Sequence, residues 1–199
     1  MPLPRSIDIP PRWQIVPPEL PARDGAWAIR LVPGAGFGDG QHPTTQLCLQ
    51  AIAALRPHDR PWRLLDFGSG SGILSIAGAL LGATADAIEI DPRAIAHAGT
   101  NLRASAVADR VRQSPELGSA RGPFDLVVAN ILRSVLLDFS AALTRLRSKE
   151  GALILSGLVS TDVPEVSARF SPLLQEQRPE VYAREEWRAL VWRFTRAGL

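Results

Sequence analysis

The chain reads LDFGSGSG from Leu65 to Gly72, so a run of apolar residues passes directly into three glycines at alternate positions. This pattern indicates a strand, a tight loop and a helix in immediate succession. Gly68, Gly70 and Gly72 permit positive φ and carry no Cβ, so a ligand could approach bare main chain where the helix begins. The alternative is that the glycines only make a tight strand-to-helix corner.

The spacing of these glycines favours one nucleotide-type cofactor over another. A dinucleotide-binding fingerprint, GxGxxG, would place its third glycine at position 73, where this chain has Ile73. The GxGxG spacing favours S-adenosylmethionine (SAM) over NAD. The candidate cofactor-binding residues of this segment are Asp66, Gly68, Ser69, Gly70 and Gly72.

Two acidic residues follow the next predicted strand. Glu89 comes after Gly72 at about the separation that a Rossmann-like unit requires, and a carboxylate there can accept hydrogen bonds from both ribose hydroxyls. Asp91 precedes Pro92, which suits the first turn of a helix, so Asp91 is predicted to be the N-cap. The alternative for Glu89 is that it too only marks the helix entry.

The composition narrows the class of protein. A chain of 199 residues suits one domain with a substantial core, and 22 basic residues scattered over a chain of net charge +2 give no basic stripe for nucleic acid. Cys48 is the only cysteine and there are three histidines, which leaves no zinc constellation. The longest uncharged apolar run, 73–85, is too short to span a bilayer. We therefore expect a metal-free cytoplasmic protein with no direct nucleic-acid or membrane partner.

Strands alternate with amphipathic helices along most of the chain. Residues 1–24 are proline-rich and are predicted to be an extended lead-in, while residues 25–199 form the domain. The alternation predicts an α/β fold with a parallel sheet covered on both faces and ligands at the carboxyl ends of its strands. Predicted helices cover 43–56, 72–81, 92–103, 132–146 and 163–174, and predicted strands cover 27–31, 63–67, 85–90, 110–113, 124–129, 151–156, 177–183 and 188–195.

Further motifs sharpen the interpretation. They are GFGDGQHPTT from Gly36 to Thr45, VANIL from Val128 to Leu132, LSGL at 155–158 and EEW at 185–187. Together with the glycine loop and the EIDP sequence they resemble the PrmA family over about residues 13–195. Enzymes of that family methylate amino groups of the eleventh protein of the large ribosomal subunit, and their catalytic domain carries FGTGxHPTT, DxGxGSGIL, DIDP and ANI in this order.

The resemblance implies a fold and an activity. The implied fold is that of Rossmann-like class I SAM-dependent methyltransferases, with a seven-stranded, mostly parallel sheet, an antiparallel C-terminal hairpin and helices on both faces. The implied activity is SAM-dependent N-methylation of a lysine side chain or N-terminus of a protein, with a ribosomal protein as one candidate partner. Two alternatives stay open, namely a small-molecule methyltransferase and a non-catalytic SAM-binding protein.

Carried over to this sequence, the resemblance places SAM contacts at Thr45, Gly68, Glu89 and Asn130. Thr45 lies in the first turn of its helix, where its hydroxyl and backbone donors can meet the cofactor carboxylate. Asn130 is the catalytic candidate, because its side-chain carbonyl could accept a hydrogen bond from the incoming amine; a turn-forming role is the alternative. Phe37 could pack on the adenine or face the sulfonium, with core packing as the alternative.

The sequence also departs from the family pattern. Asp39 replaces the threonine of FGTG, and it could bind a cationic substrate or cap the following turn. His42 could be a general base or fix the entry of the helix that begins at Pro43. The separate N-terminal substrate-recognition domain of the ribosomal enzymes has no match here, so we expect the catalytic domain only.

Overall fold

The computed structural model describes residues 6–34 and 38–193, which form two sheets and six α-helices. The small sheet contains β1 (Ile7–Ile9), β2 (Trp13–Val16) and β3 (Trp27–Arg30). The large sheet contains β4 (Trp62–Phe67), β5 (Ala83–Ile88), β6 (Val111–Ser114), β7 (Phe124–Asn130), β8 (Arg147–Val159), β9 (Glu180–Arg184) and β10 (Trp187–Trp192). The helices are α1 (Pro43–Leu55), α2 (Ile73–Leu80), α3 (Pro92–Ala104), α4 (Arg133–Asp138), α5 (Ser140–Leu146) and α6 (Val163–Phe170).

The large sheet has the strand order β6-β5-β4-β7-β8-β10-β9. Its first five strands are parallel, and β10 runs antiparallel to both β8 and β9. The predicted fold class is therefore confirmed: an α/β, Rossmann-like class I SAM-dependent methyltransferase fold with a C-terminal antiparallel hairpin. The chain order reverses direction at β4, and parallel α/β sheets bind ligands at such a switch point.

The two faces of the large sheet carry separate apolar cores. Consecutive residues of a strand point to opposite faces, so Leu64 belongs to the core shared with α1, α2 and the small sheet, and Leu65 to the core shared with α4, α5 and α6. Both residues are completely buried. The interior of β4 is thus covered on both sides, which leaves only the ends of the parallel strands available for a ligand.

The N-terminal segment is not the extended lead-in that its prolines suggest. β1 pairs antiparallel with β2, and β2 pairs in parallel with β3. The Trp13 side chain is completely buried, and its ring nitrogen donates to Leu49 O at 2.9 Å. Apolar residues placed between the prolines supply a packing face, and tertiary contacts therefore override the local preference of proline-rich sequence.

Replacing Trp13 with alanine should lower the free energy of unfolding by about 3–5 kcal/mol, since a large buried aromatic side chain and its hydrogen bond are lost. Chemical denaturation monitored by far-UV circular dichroism measures this change. Leu20 lies in the same segment but is 43% exposed, so Leu20→Ala is a matched control that should change stability by no more than about 0.5 kcal/mol. If Trp13→Ala changes the free energy of unfolding as little as Leu20→Ala does, the small sheet is not part of the folded core.

Other elements differ from expectation in their bounds. The predicted helix 132–146 is divided into α4 and α5 at Phe139, which has φ −93° and ψ 7° and whose ring lies 4.9 Å from that of Phe67. β5 begins and ends two residues earlier than predicted, so Glu89 follows the strand directly. Within the described residues, no helix is long and apolar enough to cross a membrane.

Candidate active site

Three neighbouring strands bring the predicted site residues to one edge of the large sheet. β4 is flanked by β5 and β7, all three parallel. The glycine loop follows β4, Glu89 follows β5 and Asn130 is the last residue of β7. The prediction that Gly68, Glu89 and Asn130 lie at the carboxyl ends of strands is confirmed.

The backbone of the glycine loop requires glycine. Gly68, Gly70 and Gly72 have φ of 77°, 52° and 79°, values that side chains disfavour. A Cβ at Gly68 would lie 2.3 Å from the Ile131 side chain, so the loop also packs closely against the end of β7. The loop is anchored to β5, because the amides of Gly68 and Ser69 both donate to Ile88 O, at 2.8 and 3.0 Å.

The Glu89 carboxylate is held in place by main-chain amides. Oε2 accepts from Gly70 N at 3.0 Å, and Oε1 accepts from Ile90 N at 2.8 Å and Asp91 N at 3.0 Å. Glu89 therefore joins the end of β5 to the glycine loop. The neighbouring Ile90 is 83% exposed. Asp91 Oδ1 accepts from Arg93 N at 2.9 Å, which confirms its role as an N-cap.

Asp66 is a buried carboxyl group beneath the loop. Its Oδ2 accepts from both Ser75 N (2.9 Å) and Ser75 Oγ (2.7 Å), while its Oδ1 is buried with no partner among the described residues. Burial, with a smaller contribution from the charge of Glu89, raises the pKa of Asp66 to about 6 against the opposing effect of the Ser75 hydrogen bonds. A cation reaching Oδ1 would reverse this shift.

Four of the predicted site residues carry a buried side-chain oxygen with no hydrogen-bond partner in the described part of the chain. These atoms are Thr45 Oγ1, Asp66 Oδ1, Ser69 Oγ and Asn130 Oδ1. Buried polar atoms are nearly always paired, and an unpaired one costs about 1–3 kcal/mol. Asp66, Ser69 and Asn130 lie at or just after the ends of β4 and β7, and Thr45 lies in the first turn of α1. The set indicates a site shaped for a polar ligand. SAM fits this set, since it carries an ammonium, a carboxylate and ribose hydroxyls.

The contacts of Cys48 place the start of α1 next to this site. Cys48 lies one turn after Thr45 and is completely buried. A side-chain hydrogen bond with Ser156 and the charge of Asp66 both affect the pKa of its thiol. Ser156 in turn pairs in register with Asn130. Burial raises the pKa of the Cys48 thiol to about 12, so Cys48 stays protonated and does not supply a nucleophile.

His42 and Asp39 both contact residues at or just before the start of α1. His42 is the N-cap of α1 and accepts from Thr44 N through Nδ1, which supports the helix-entry role. Its ring also meets Trp187 edge-on at 4.6 Å between centroids. Asp39 accepts from the backbone and side-chain nitrogens of Gln41, both at 2.9 Å, and so caps the turn before α1. Phe37 lies outside the described residues.

Sequence reasoning missed the polar residues that support the site. Ser75 holds Asp66, and Gln46 Nε2 donates to Gly40 O and Gln41 O at 3.1 Å each, which fixes the turn before α1. Both side chains are buried within largely apolar stretches of their helices. That contrast was a usable signal, because buried polar side chains are normally hydrogen-bonded.

Comparison with known proteins agrees with this geometry. Residues 1–195 match the family model described as ribosomal protein L11 methyltransferase (PrmA). The chain is 38% identical to the ribosomal protein L11 methyltransferase of Geobacter sp. (strain M21) over 195 residues, which is 95% of this chain and 61% of the relative. It is 39% identical to that of Desulfitobacterium hafniense, over 98% of this chain and 61% of the relative. The chain thus spans about three fifths of the length of these curated relatives.

Solved structures show the same relationship. The ribosomal protein L11 methylase of Lactobacillus delbrueckii subsp. bulgaricus superimposes with a TM-score of 0.82 at 30% identity, covering 96% of this chain and 100% of that chain. A Thermus thermophilus 16S rRNA methyltransferase, solved with AdoMet and guanosine, shares the fold with a TM-score of 0.63 at 21% identity, over 80% of this chain and 45% of the other. The motifs, the strand order and the family match agree, and the chain belongs to the ribosomal protein L11 methyltransferase (PrmA) family.

Proposed function

We propose that the chain is a SAM-dependent N-methyltransferase that acts on amino groups of a protein in the cytoplasm, with ribosomal protein L11 as the first candidate acceptor. The observation that carries this proposal is the set of four unpaired buried oxygens around the glycine loop. The family match and the names of the relatives supply the candidate acceptor.

The polar groups of SAM can be assigned to individual residues of the site. Asp66 Oδ1 would take the α-ammonium, and Thr45 Oγ1 would meet the carboxylate. Glu89 would accept from the ribose hydroxyls, and the exposed Ile90 beside it offers an apolar surface to the adenine. The main chain of the glycine loop would lie against the nucleoside with no Cβ between them.

Methyl transfer from the sulfonium of SAM is an in-line displacement on an electrophilic carbon, so this chain has only to present an amine that has a free lone pair. A lysine amine, with a pKa of about 10.4, is mostly protonated at neutral pH. Removal from water lowers that pKa, and Leu132, which is 73% exposed, supplies apolar surface next to Asn130. Asn130 Oδ1 would then accept one N–H of the neutral amine and aim its lone pair. Alignment alone can supply about 7–11 kcal/mol, and no side-chain base is required.

The pH dependence of SAM binding offers a test of the Asp66 assignment. The ionised carboxylate pairs with the ammonium, so Asp66 must lose its proton when SAM binds. Below pH 6, where the raised pKa of Asp66 keeps it protonated, SAM affinity should fall about tenfold per pH unit. Asp66→Asn should bind more weakly at pH 7.5 and show no such slope between pH 5 and 7, as measured by isothermal titration. The same slope in both proteins would assign the titration to another group.

The proposed function is tested by transfer of labelled methyl groups from SAM, with purified ribosomal protein L11 and cell lysate offered separately. We expect label on amino groups of ribosomal protein L11, located by mass spectrometry. Label on another protein would retain the enzyme class and change the acceptor. Label only in small molecules would favour a small-molecule methyltransferase, and SAM binding without any transfer would favour the non-catalytic alternative.

A further inference from the structure

Three polar side chains, two on α3 and one at its C-cap, bind the main chain of Arg30 at the end of β3 and of Val32, two residues further on. They are His97, Asn101 and Ser105, each one turn apart. Ser105 Oγ accepts from Arg30 N at 3.0 Å and donates to Arg30 O at 3.1 Å. Asn101 Oδ1 accepts from Val32 N at 2.9 Å, and His97 Nε2 lies 2.8 Å from Val32 O. These side chains thus supply hydrogen-bond partners to the main chain of Arg30 and Val32, as a neighbouring strand would.

Asn101 differs from the other two because it also binds the glycine loop. Its Nδ2 donates to Ser71 O at 2.9 Å, and the side chain is completely buried. Ser71 Oγ then donates to Gly38 O at 2.7 Å. One amide therefore connects the chain leaving β3 with the loop that follows β4, and Ser71 extends the connection to the turn before α1.

The connected segments carry the proposed SAM contacts. α3 begins directly after Glu89 and Asp91, the glycine loop contains Ser71, and the segment from Gly38 leads through His42 to Thr45. The hydrogen bonds of Asn101 and Ser71 are buried, so breaking them leaves main-chain carbonyls without a partner. An unpaired carbonyl that is buried lowers the stability of the fold more than one that is exposed to water.

From these contacts we propose that Asn101 is a positioning residue for SAM binding, an inference that rests on the proposed function. Asn101 fixes the glycine loop relative to α3, which begins directly after Glu89 and Asp91, and relative to Val32, and so sets the separation between the loop and Glu89. It does not touch the cofactor or the methyl group itself. In catalysis a displacement of about 1 Å at a reacting group can cost about a hundredfold in rate, and we expect a smaller but measurable loss of affinity when cofactor-binding groups shift.

The test compares Asn101→Ala with Ser105→Ala. Both remove side-chain hydrogen bonds to the main chain at or just after the end of β3, but only Asn101 contacts the glycine loop. We expect both variants to lower Tm. SAM affinity, measured by equilibrium titration well below Tm, should fall at least about tenfold in Asn101→Ala and stay within about twofold of wild type in Ser105→Ala.

A second substitution covers the case in which Asn101→Ala does not fold. Asn101→Asp keeps the shape and the acceptor for Val32 N, but it sets a carboxylate oxygen against the Ser71 carbonyl, where a donor is needed. It should weaken SAM binding as Asn101→Ala does. Wild-type affinity in Asn101→Asp, or equal losses in Asn101→Ala and Ser105→Ala, would overturn the positioning role while leaving the proposed function intact. Absence of SAM binding by the wild-type protein would refute the proposed function and the inference together.

Discussion

Replacing Asn130 with alanine is expected to lower kcat for methyl transfer by about 10²–10³-fold, the effect typical of removing one oriented polar group from a reacting centre. Asn130 Oδ1 has no hydrogen-bond partner among the described residues and lies at the end of β7, so its acceptor capacity is unfilled. Without it the amine loses both its orientation and part of the stabilisation of its neutral form. Single-turnover methyl transfer at saturating SAM measures this step.

The affinity of Asn130→Ala for SAM separates a role in the reaction from a role in cofactor binding. We expect the Kd for SAM to change by less than about threefold, because an interaction that is made mainly in the transition state contributes little to cofactor binding in the ground state. Ser134 is an exposed polar residue in α4, shortly after Asn130 in the chain, and Ser134→Ala is the matched control. Near-normal turnover of Asn130→Ala with normal SAM binding would remove Asn130 from the mechanism.

The second large effect is expected at Glu89. Glu89→Ala should weaken SAM binding about a hundredfold or more, because a hydrogen bond to a charged group contributes about 1.5–3 kcal/mol and both ribose hydroxyls lose their acceptor. The substitution also releases the amides of Gly70 and Ile90, which loosens the glycine loop. Isothermal titration with SAM and with S-adenosylhomocysteine measures the loss.

Asp91 supplies the control for Glu89. It is a carboxylate two residues away that caps α3 and has no bond to the glycine loop among the described contacts. Asp91→Ala should lower Tm, as loss of an N-cap does, and leave SAM affinity nearly unchanged. If Asp91→Ala weakens SAM as much as Glu89→Ala, the effect belongs to the helix entry and the ribose role is wrong.

The sequence predicted those parts of the protein that depend on local patterns. The glycine loop was visible because alternate glycines after an apolar run have few uses other than positive φ, and all three adopt it. Glu89 and Asn130 were visible because the alternation of strands and helices places them at strand ends. The strand-helix-strand order is itself a local property of the chain, and the parallel sheet follows from it.

The features that escaped prediction depend on contacts between distant segments. Prolines dominate the local sequence before residue 24, yet the Trp13 side chain is buried against α1 and β3, which no local pattern reports. The helix break occurs at Phe139, whose ring contacts Phe67, a residue of a different element. No local pattern distinguishes Asn101 from other helical asparagines, because its partners, Val32 and Ser71, lie in distant segments of the chain.

A crystal structure with S-adenosylhomocysteine bound would test the central claim most directly. The predicted result places the amino group of the ligand within hydrogen-bond distance of Asp66 Oδ1, its carboxylate at Thr45 Oγ1 and its ribose hydroxyls at Glu89, with Asn130 Oδ1 facing the sulfur side of the ligand. A ligand bound elsewhere, with these oxygens still unpaired, would contradict the assignment of this strand edge as the methyl-transfer site.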